Sequence, residues 1–166
     1  MQETVEERAG LAALLSASMA GAGPFVRTSF RWPEHALTLD RFLATFDGMR
    51  TVALATATAA GAPRVAPIGC TLVGGLFYIP TTRTAARYRM VVRWPDVSLT
   101  YFEGITLAVI VHGMARAVHP GEAGFERVEA VMTALSATSP TTWGEPGDGC
   151  YLAVEPRTLL TYTHHP

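Results

Sequence analysis

A small antiparallel β-barrel decorated by a few helices is the fold class that this sequence predicts, and three features predict it. Segments with period-two or continuous apolar patterning dominate the chain from residue 51 onward. Neighbouring segments are joined by tight turns such as Gly74-Gly75 and Glu103-Gly104. The helical segments are few and inserted between runs of strands, which argues against a parallel doubly wound sheet. With 166 residues, 49% hydrophobic and 16% charged, the chain can bury a core and is too apolar for a disordered class.

The first expected element is an amphipathic helix within 9–23, where Leu11, Leu14, Leu15 and Met19 follow helical spacing. That segment is apolar and ends in small residues. Its flank carries Glu3, Glu6 and Glu7 where a secretory leader is basic, so a cytoplasmic protein is expected. A loop with Gly21, Gly23, Pro24 and Pro33 completes an N-terminal extension, taken as 1–37, and the barrel domain is taken as 38–166. Thr38 is suited to cap a helix bearing Leu39, Phe42, Leu43, Phe46 and Met49, ending near Gly48. Three strands then form a meander over 51–58, 64–73 and 76–80.

A helix over about 82–93 is expected next, stopped by Trp94-Pro95 because proline disfavours helix in the residue before it. Strands over 97–102 and 105–118 follow. A helix opening near Pro120 places Phe125, Val128, Met132 and Leu135 on one face, with Glu122, Glu126, Arg127 and Glu129 in solvent. A flexible loop over 138–149 leads to two last strands, YLAVE and TLLTYT. No run is long and apolar enough to span a bilayer.

The formal charge of −1 excludes a general nucleic-acid or membrane-surface binder, which needs a net basic footprint. Basic character is local instead. Arg83, Arg87, Arg89 and Arg93, four of the 13 basic residues, stand between 81 and 93 beside Thr81, Thr82 and Thr84. A helix start with threonine hydroxyls and an arginine one turn on suits an anion, because free backbone N–H groups, hydroxyl donors and a guanidinium fork converge there. Arg64 joins them if its strand neighbours the one ending at Thr81.

Other chemistry-bearing residues are dispersed. Cys70 and Cys150 are far apart without partner ligands at metal spacing, so neither a disulfide nor a metal site is expected. His112 reads as a core or interface histidine, His119 as a turn residue, and Tyr78, Tyr88, Tyr101 and Phe102 as barrel core or interface. No carboxylate pair or nucleophile–base pair is evident, and catalytic residues are left unassigned. Trp143 stands in the Gly/Pro-rich stretch WGEPGDG, where a large aromatic has little local core to enter, and is a candidate pocket cap; Glu145 and Asp148 read as solvated charges.

Three stretches carry a family resemblance: 61–101 (GAPRVAPIGC through VSLTY), LAVIVHGMARAV (107–118) and YLAVEPRTLLTYT (151–163). In their G-x-P-x-V-x-P strand, hairpin, strand ending in threonine, basic residue in the next helix, proline and V-S-L strand, residues 38–163 resemble the pyridoxamine 5′-phosphate oxidase-like superfamily. The resemblance implies a mainly β, FMN-binding-like split barrel of antiparallel Greek-key type. It implies a homodimer with two cofactor sites at the interface, binding FMN or the deazaflavin F420 and acting on a small-molecule substrate. Arg64, Thr81, Thr82 and Arg87 would hold the cofactor phosphate, and the loop bearing Trp143 would reach a ring, in the same or the partner subunit. Many members have lysine where Arg87 stands and asparagine where Met90 stands.

The leading expectation is an oxidoreductase in which the cofactor ring carries the hydride and the protein orients it. FMN is preferred to F420 because the recognisable anion site is compact. Pyridoxamine phosphate oxidation itself is disfavoured, since no second basic set is present for a substrate phosphate. Two alternatives remain: a non-catalytic barrel holding a flavin, a haem (with His112 or a tail histidine as axial ligand) or another planar ligand, and a cofactor-free barrel acting through its pocket.

Overall fold

The computed structural model describes residues 3–135, 139 and 142–164. Helix α1 (Val5–Gly21) opens on a capping box in which the Thr4 hydroxyl accepts from Glu7 N–H and the Glu7 carboxylate accepts from Thr4 N–H. Leu11, Leu15 and Met19, four apart, form its buried stripe. A short helix α2 (Pro24–Ser29) stands where a loop is expected, started by Pro24 at its first turn. Helix α3 (Leu39–Thr45) has Thr38 as its cap, as expected, but ends before Met49. Gly48 then takes φ +94°, a left-handed conformation open to glycine, and turns the chain into the barrel.

Six strands form a closed barrel: β1 (Arg50–Ala57), β2 (Pro63–Val73), β3 (Leu76–Thr82), β4 (Asp96–Glu103), β5 (Leu107–Val118) and β6 (Gly149–Thr163). Their order around the barrel is β1-β2-β3-β6-β5-β4, with every pairing antiparallel. Strands β4, β1, β2 and β3 therefore stand in the 4-1-2-3 order of a Greek key. The link from β3 to β4 carries helix α4 (Ala86–Arg93), and helix α5 (Phe125–Leu135) lies between β5 and β6.

Several boundaries differ from expectation. Helix α4 begins at Ala86 and not near Thr82, because Thr81 and Thr82 stay in the β3 ladder opposite Cys150 and Gly149. Helix α5 begins at Phe125, after the glycines at 121 and 124, both at positive φ. The two expected last strands are one: β6 runs through Pro156, which faces Gly113 at a register shift in the β5–β6 ladder.

The barrel is split between β2 and β3. Their ladder spans Thr71 to Val73 against Tyr78 to Leu76, whereas β2 pairs with β1 along Pro63 to Cys70. Successive N–H groups of an antiparallel strand alternate sides, and Pro63 and Pro67 hold their places opposite Ala57 and Ala53. The donors they lack therefore belong to the side away from β1, where β3 would pair.

The main core fills the barrel with Leu54, Leu99, Val109, Val111, Val154 and Leu159, and α3 plugs one end with Phe42 and Phe46. The Phe46 ring stands edge-on to Phe77 at 5.1 Å. A second cluster lies outside the barrel, where Phe125, Val128 and Met132 of α5 cover Tyr78, Val118 and Tyr151. Helix α1 lies along β6, tied by Ser18 Oγ accepting from Leu159 N–H. Glu129, expected in solvent, is half-buried and accepts hydrogen bonds from Tyr151 and Ser139. Among the described residues no helix is long and apolar enough to cross a membrane.

Glu7 also grips Arg127 of α5 at 2.6 and 2.9 Å, joining α1 to α5. The guanidinium holds its carboxyl near pKa 2, below the usual 4.5. A depressed folded pKa contributes stability above pH 4.5 that disappears as the pH falls towards 2. Glu7→Gln should therefore flatten the acid limb of the stability curve. Because the pair is partly exposed, the loss at neutral pH should be only about 1 kcal/mol by chemical denaturation.

Candidate functional site

The split opens a cleft of about 340 Å³ between the free half of β2 and helix α4. Arg64, Val65 and Ile68 line one side, Ala86, Arg87 and Met90 the other, and Leu54 and Thr56 of β1 complete the lining. Helix α4 rests on β1 and β5, with Val91 buried beneath it. Ala86 is the first helical residue, so the helix start, whose first N–H groups lack intrahelical partners, opens onto the cleft.

Arg64 and Arg87 bring two guanidinium groups to this cleft without a carboxylate among its lining residues. Arg87 Nη1 donates to the Thr81 hydroxyl at 3.3 Å, and Thr81 is buried at 1% exposure. Thr81 thus orients Arg87 from behind. Arg64 Nη1 donates to the Pro63 carbonyl at 3.0 Å. Strand β2 brings Arg64 to the cleft by diverging from β3, not by pairing beside Thr81.

Met90 closes the interior end. Its sulfur accepts the Thr56 hydroxyl at 3.3 Å, which satisfies the inward-facing polar group of β1. With Leu54, Val65, Ala66 and Ile68 the inner wall is apolar. The cleft therefore pairs a cationic mouth with an apolar interior, which suits a ligand with an anionic end and a flat or greasy body.

Thr82 and Trp143 do not line this cleft. Thr82 Oγ1 is 3.1 Å from Thr84 Oγ1, and Thr84 donates to Asp148 Oδ2 at 2.8 Å. The Asp148 carbonyl accepts from Arg83 N–H at 3.0 Å. Asp148, which reads as a solvated charge in the sequence, is thus the latch between the β3–α4 turn and the loop bearing Trp143. Gly144 lies against its carboxylate, and the Trp143 side chain is 39% exposed. Residues 138, 140 and 141 of the expected loop lie outside the described residues.

The remaining candidates fall elsewhere. Tyr88 Oη is 3.2 Å from His119 Nε2, pinning α4 to the end of β5. His112 is exposed on the outer face of β5 and bonded to Ser98, away from the core. Among the tail histidines His164 is 3.4 Å from Tyr162 Oη, and His165 lies outside the described residues. Burial raises the Cys70 thiol and pushes Cys150 to about 11, so both stay protonated. Among the described residues no three His, Cys, Asp or Glu side chains are placed to share a metal ion. Thr56 and Asp148 were missed by sequence reading. Their roles come from contacts across the fold, with Met90 34 positions and Thr84 64 positions away.

A family profile described as pyridoxamine 5′-phosphate oxidase matches residues 39–161. No curated protein matches the sequence. Among solved structures the chain is similar to the conserved hypothetical protein Rv2991 from Mycobacterium tuberculosis, at 17% identity and TM-score 0.64, covering 80% of this chain and 88% of that one. It is also similar to an F420 reductase, at 18% identity and TM-score 0.56 over 70% of this chain and 93% of that one. HutZ, a heme storage protein from Vibrio cholerae, gives 17% identity and TM-score 0.60 over 71% of this chain and 87% of that one. At these identities the likeness is one of fold.

The latch generates a test. Asp148→Ala and Thr84→Val should each free the loop at 142–148, seen as faster limited proteolysis within it, with global unfolding nearly unchanged. Unaltered cleavage in both variants would show that other contacts hold the loop.

Proposed function

The chain belongs to the pyridoxamine 5′-phosphate oxidase family, and from that premise we propose that it binds FMN or F420 through phosphate and serves as an oxidoreductase for a small organic substrate. The observation that carries this reading is the apposition of Arg64, Arg87 and the start of α4 at the mouth of one cleft. A phosphate there gains two charge-assisted partners and free helix N–H groups. Thr81 contributes by fixing the guanidinium of Arg87, and Thr82 by shaping the turn. FMN remains preferred, because this cationic mouth is compact whereas F420 carries a longer anionic tail.

When bound, the cofactor ring supplies the hydride chemistry. The chain's own residues would hold the phosphate, wall the ring with Val65, Ile68 and Met90, and exclude water from that side. One protomer offers no aromatic lining to the cleft, and Val65 is strongly exposed beside it. A second copy covering the β2 edge supplies the missing wall, so the proposed active form is a homodimer with a site at each end of its interface. On this reading Trp143, in the loop latched to the β3–α4 turn, would serve a neighbouring site.

A second reading rests on Met90. Its thioether and the apolar wall leave no protein acid–base group lining the cleft, which equally suits a carrier of a planar ligand. Of the similar solved structures, one is an F420 reductase and one a heme storage protein, one for each reading.

Titration of the protein with FMN and with F420 in separate experiments, followed by absorption and fluorescence, tests the binding. Arg87→Ala should weaken the bound cofactor by about 1.5–3 kcal/mol, roughly 10- to 100-fold in Kd. Unchanged affinity would remove Arg87 from the site. Reduction of the bound ring by NAD(P)H or by a reduced deazaflavin distinguishes enzyme from carrier. Trp143→Ala should alter turnover more than melting temperature, and the reverse pattern would make Trp143 a packing residue.

A further inference from the structure

A separate cleft of about 430 Å³ lies on the outer face of the barrel. Four residues fall in one row across its floor: Ala55 pairs with Ser98, Ser98 with His112, and His112 with Thr158. The cleft depends on Gly113. A Cβ there would stand 2.1 Å from the Glu155 carbonyl oxygen, so only glycine lets β5 press this close to β6. The ladder shifts register at this point: His112 faces Thr158 and Gly113 faces Pro156, so Arg157 is the extra residue of β6, and such a bulge bends its strand and re-aims the side chain it carries, here that of Arg157.

The polar groups in the cleft are directional. Ser98 Oγ is 2.7 Å from His112 Nδ1, while His112 Nε2 and the Thr158 hydroxyl make no hydrogen bond among the described residues. If Ser98 is the donor to Nδ1, the ring proton stands on Nε2, where it is a donor available to the cleft. Arg157 also lines it, with Nη1 3.6 Å from Asp96 Oδ1 and Nη2 on the Met114 sulfur. Asp96 offsets part of the arginine charge, which favours a monoanion over a phosphate dianion. Ala55 and Ala57 of β1 present only methyl groups at one side of the cleft, an apolar surface for a planar body. Ser98 does not act as a nucleophile here: its strand is paired on both sides, with β1 and β5, leaving no convergent N–H groups to hold an oxyanion.

We infer that this cleft binds a small planar carboxylate. The carboxylate is held by Arg157 and His112 Nε2, and the ring lies over Ala55 and Ala57. Ser98 is a positioning residue that sets the tautomer. The site is independent of the cofactor reading, because none of these residues belongs to the cationic mouth formed by Arg64 and Arg87.

The test is titration of protein carrying ¹⁵N-labelled histidine with benzoate, and in parallel with inorganic phosphate and benzylamine. The His112 signals are assigned by their disappearance in His112→Gln. In the free protein His112 should show the Nε2–H tautomer, and benzoate should shift its signals saturably while phosphate and benzylamine do not. Arg157→Gln and His112→Gln, both surface changes, should each weaken benzoate roughly 10-fold by calorimetry. Ser98→Ala should change the tautomer ratio together with affinity, and Arg87→Ala should leave benzoate binding intact. No saturable shift at His112, equal binding of phosphate or benzylamine, full affinity in Arg157→Gln, or loss of benzoate binding in Arg87→Ala would each overturn the proposal. The last outcome would place the ion in the cofactor cleft instead.

Discussion

The arrangement of this protein depends on where β2 stops pairing with β3. Three residue pairs after the Gly74-Gly75 turn the two strands part, and Pro63 and Pro67 leave β2 short of donors on the parted side. A fully paired barrel would have no room between these strands. The parting gives α4 a place over the gap, brings Arg87 across from Arg64, and leaves an apolar inner wall that the sheet would otherwise have covered. The cleft is thus a consequence of hydrogen bonds that the sequence cannot make.

Around that gap the polar groups are arranged in two tiers. Thr81 is buried in the β3–β6 ladder and holds Arg87, whereas Thr84 faces outward and holds Asp148. Adjacent turns of chain therefore serve opposite purposes, one stiffening a cation and the other anchoring a loop. A near-neutral chain can afford a cationic mouth because the opposing carboxylates are engaged elsewhere: Glu7 on Arg127, Asp40 on Arg8, and Glu129 beneath Tyr151.

Much of the barrel was legible in the sequence because period-two patterning and glycine turns are local signals. Gly74 and Gly75 take positive φ where the pattern demands a tight reversal. Thr38 was legible as a cap for the same reason. The start of α4 was not, since a threonine suits a strand end as well as a helix start, and the β6 ladder decides between them. Nor was the continuity of β6, because a proline reads as a break unless the strand is known to bulge beside it, as β6 does at Arg157. Arg64 and Arg87 could be singled out by type and position. The partners that give them meaning, Thr56 with Met90 and Thr84 with Asp148, are separated by tens of residues and emerge only from the closed barrel.

The two prolines of β2 have one more consequence. An exposed strand edge ordinarily invites another strand to add to it, and repeated addition produces open-ended aggregates. Here the donor row at 63, 65, 67 and 69 is half missing, so the edge cannot template a continuous ladder. Whatever covers it must meet side chains, which limits growth to partners of matching shape. The same gaps in hydrogen bonding that open the cleft also protect the protein from polymerising through it.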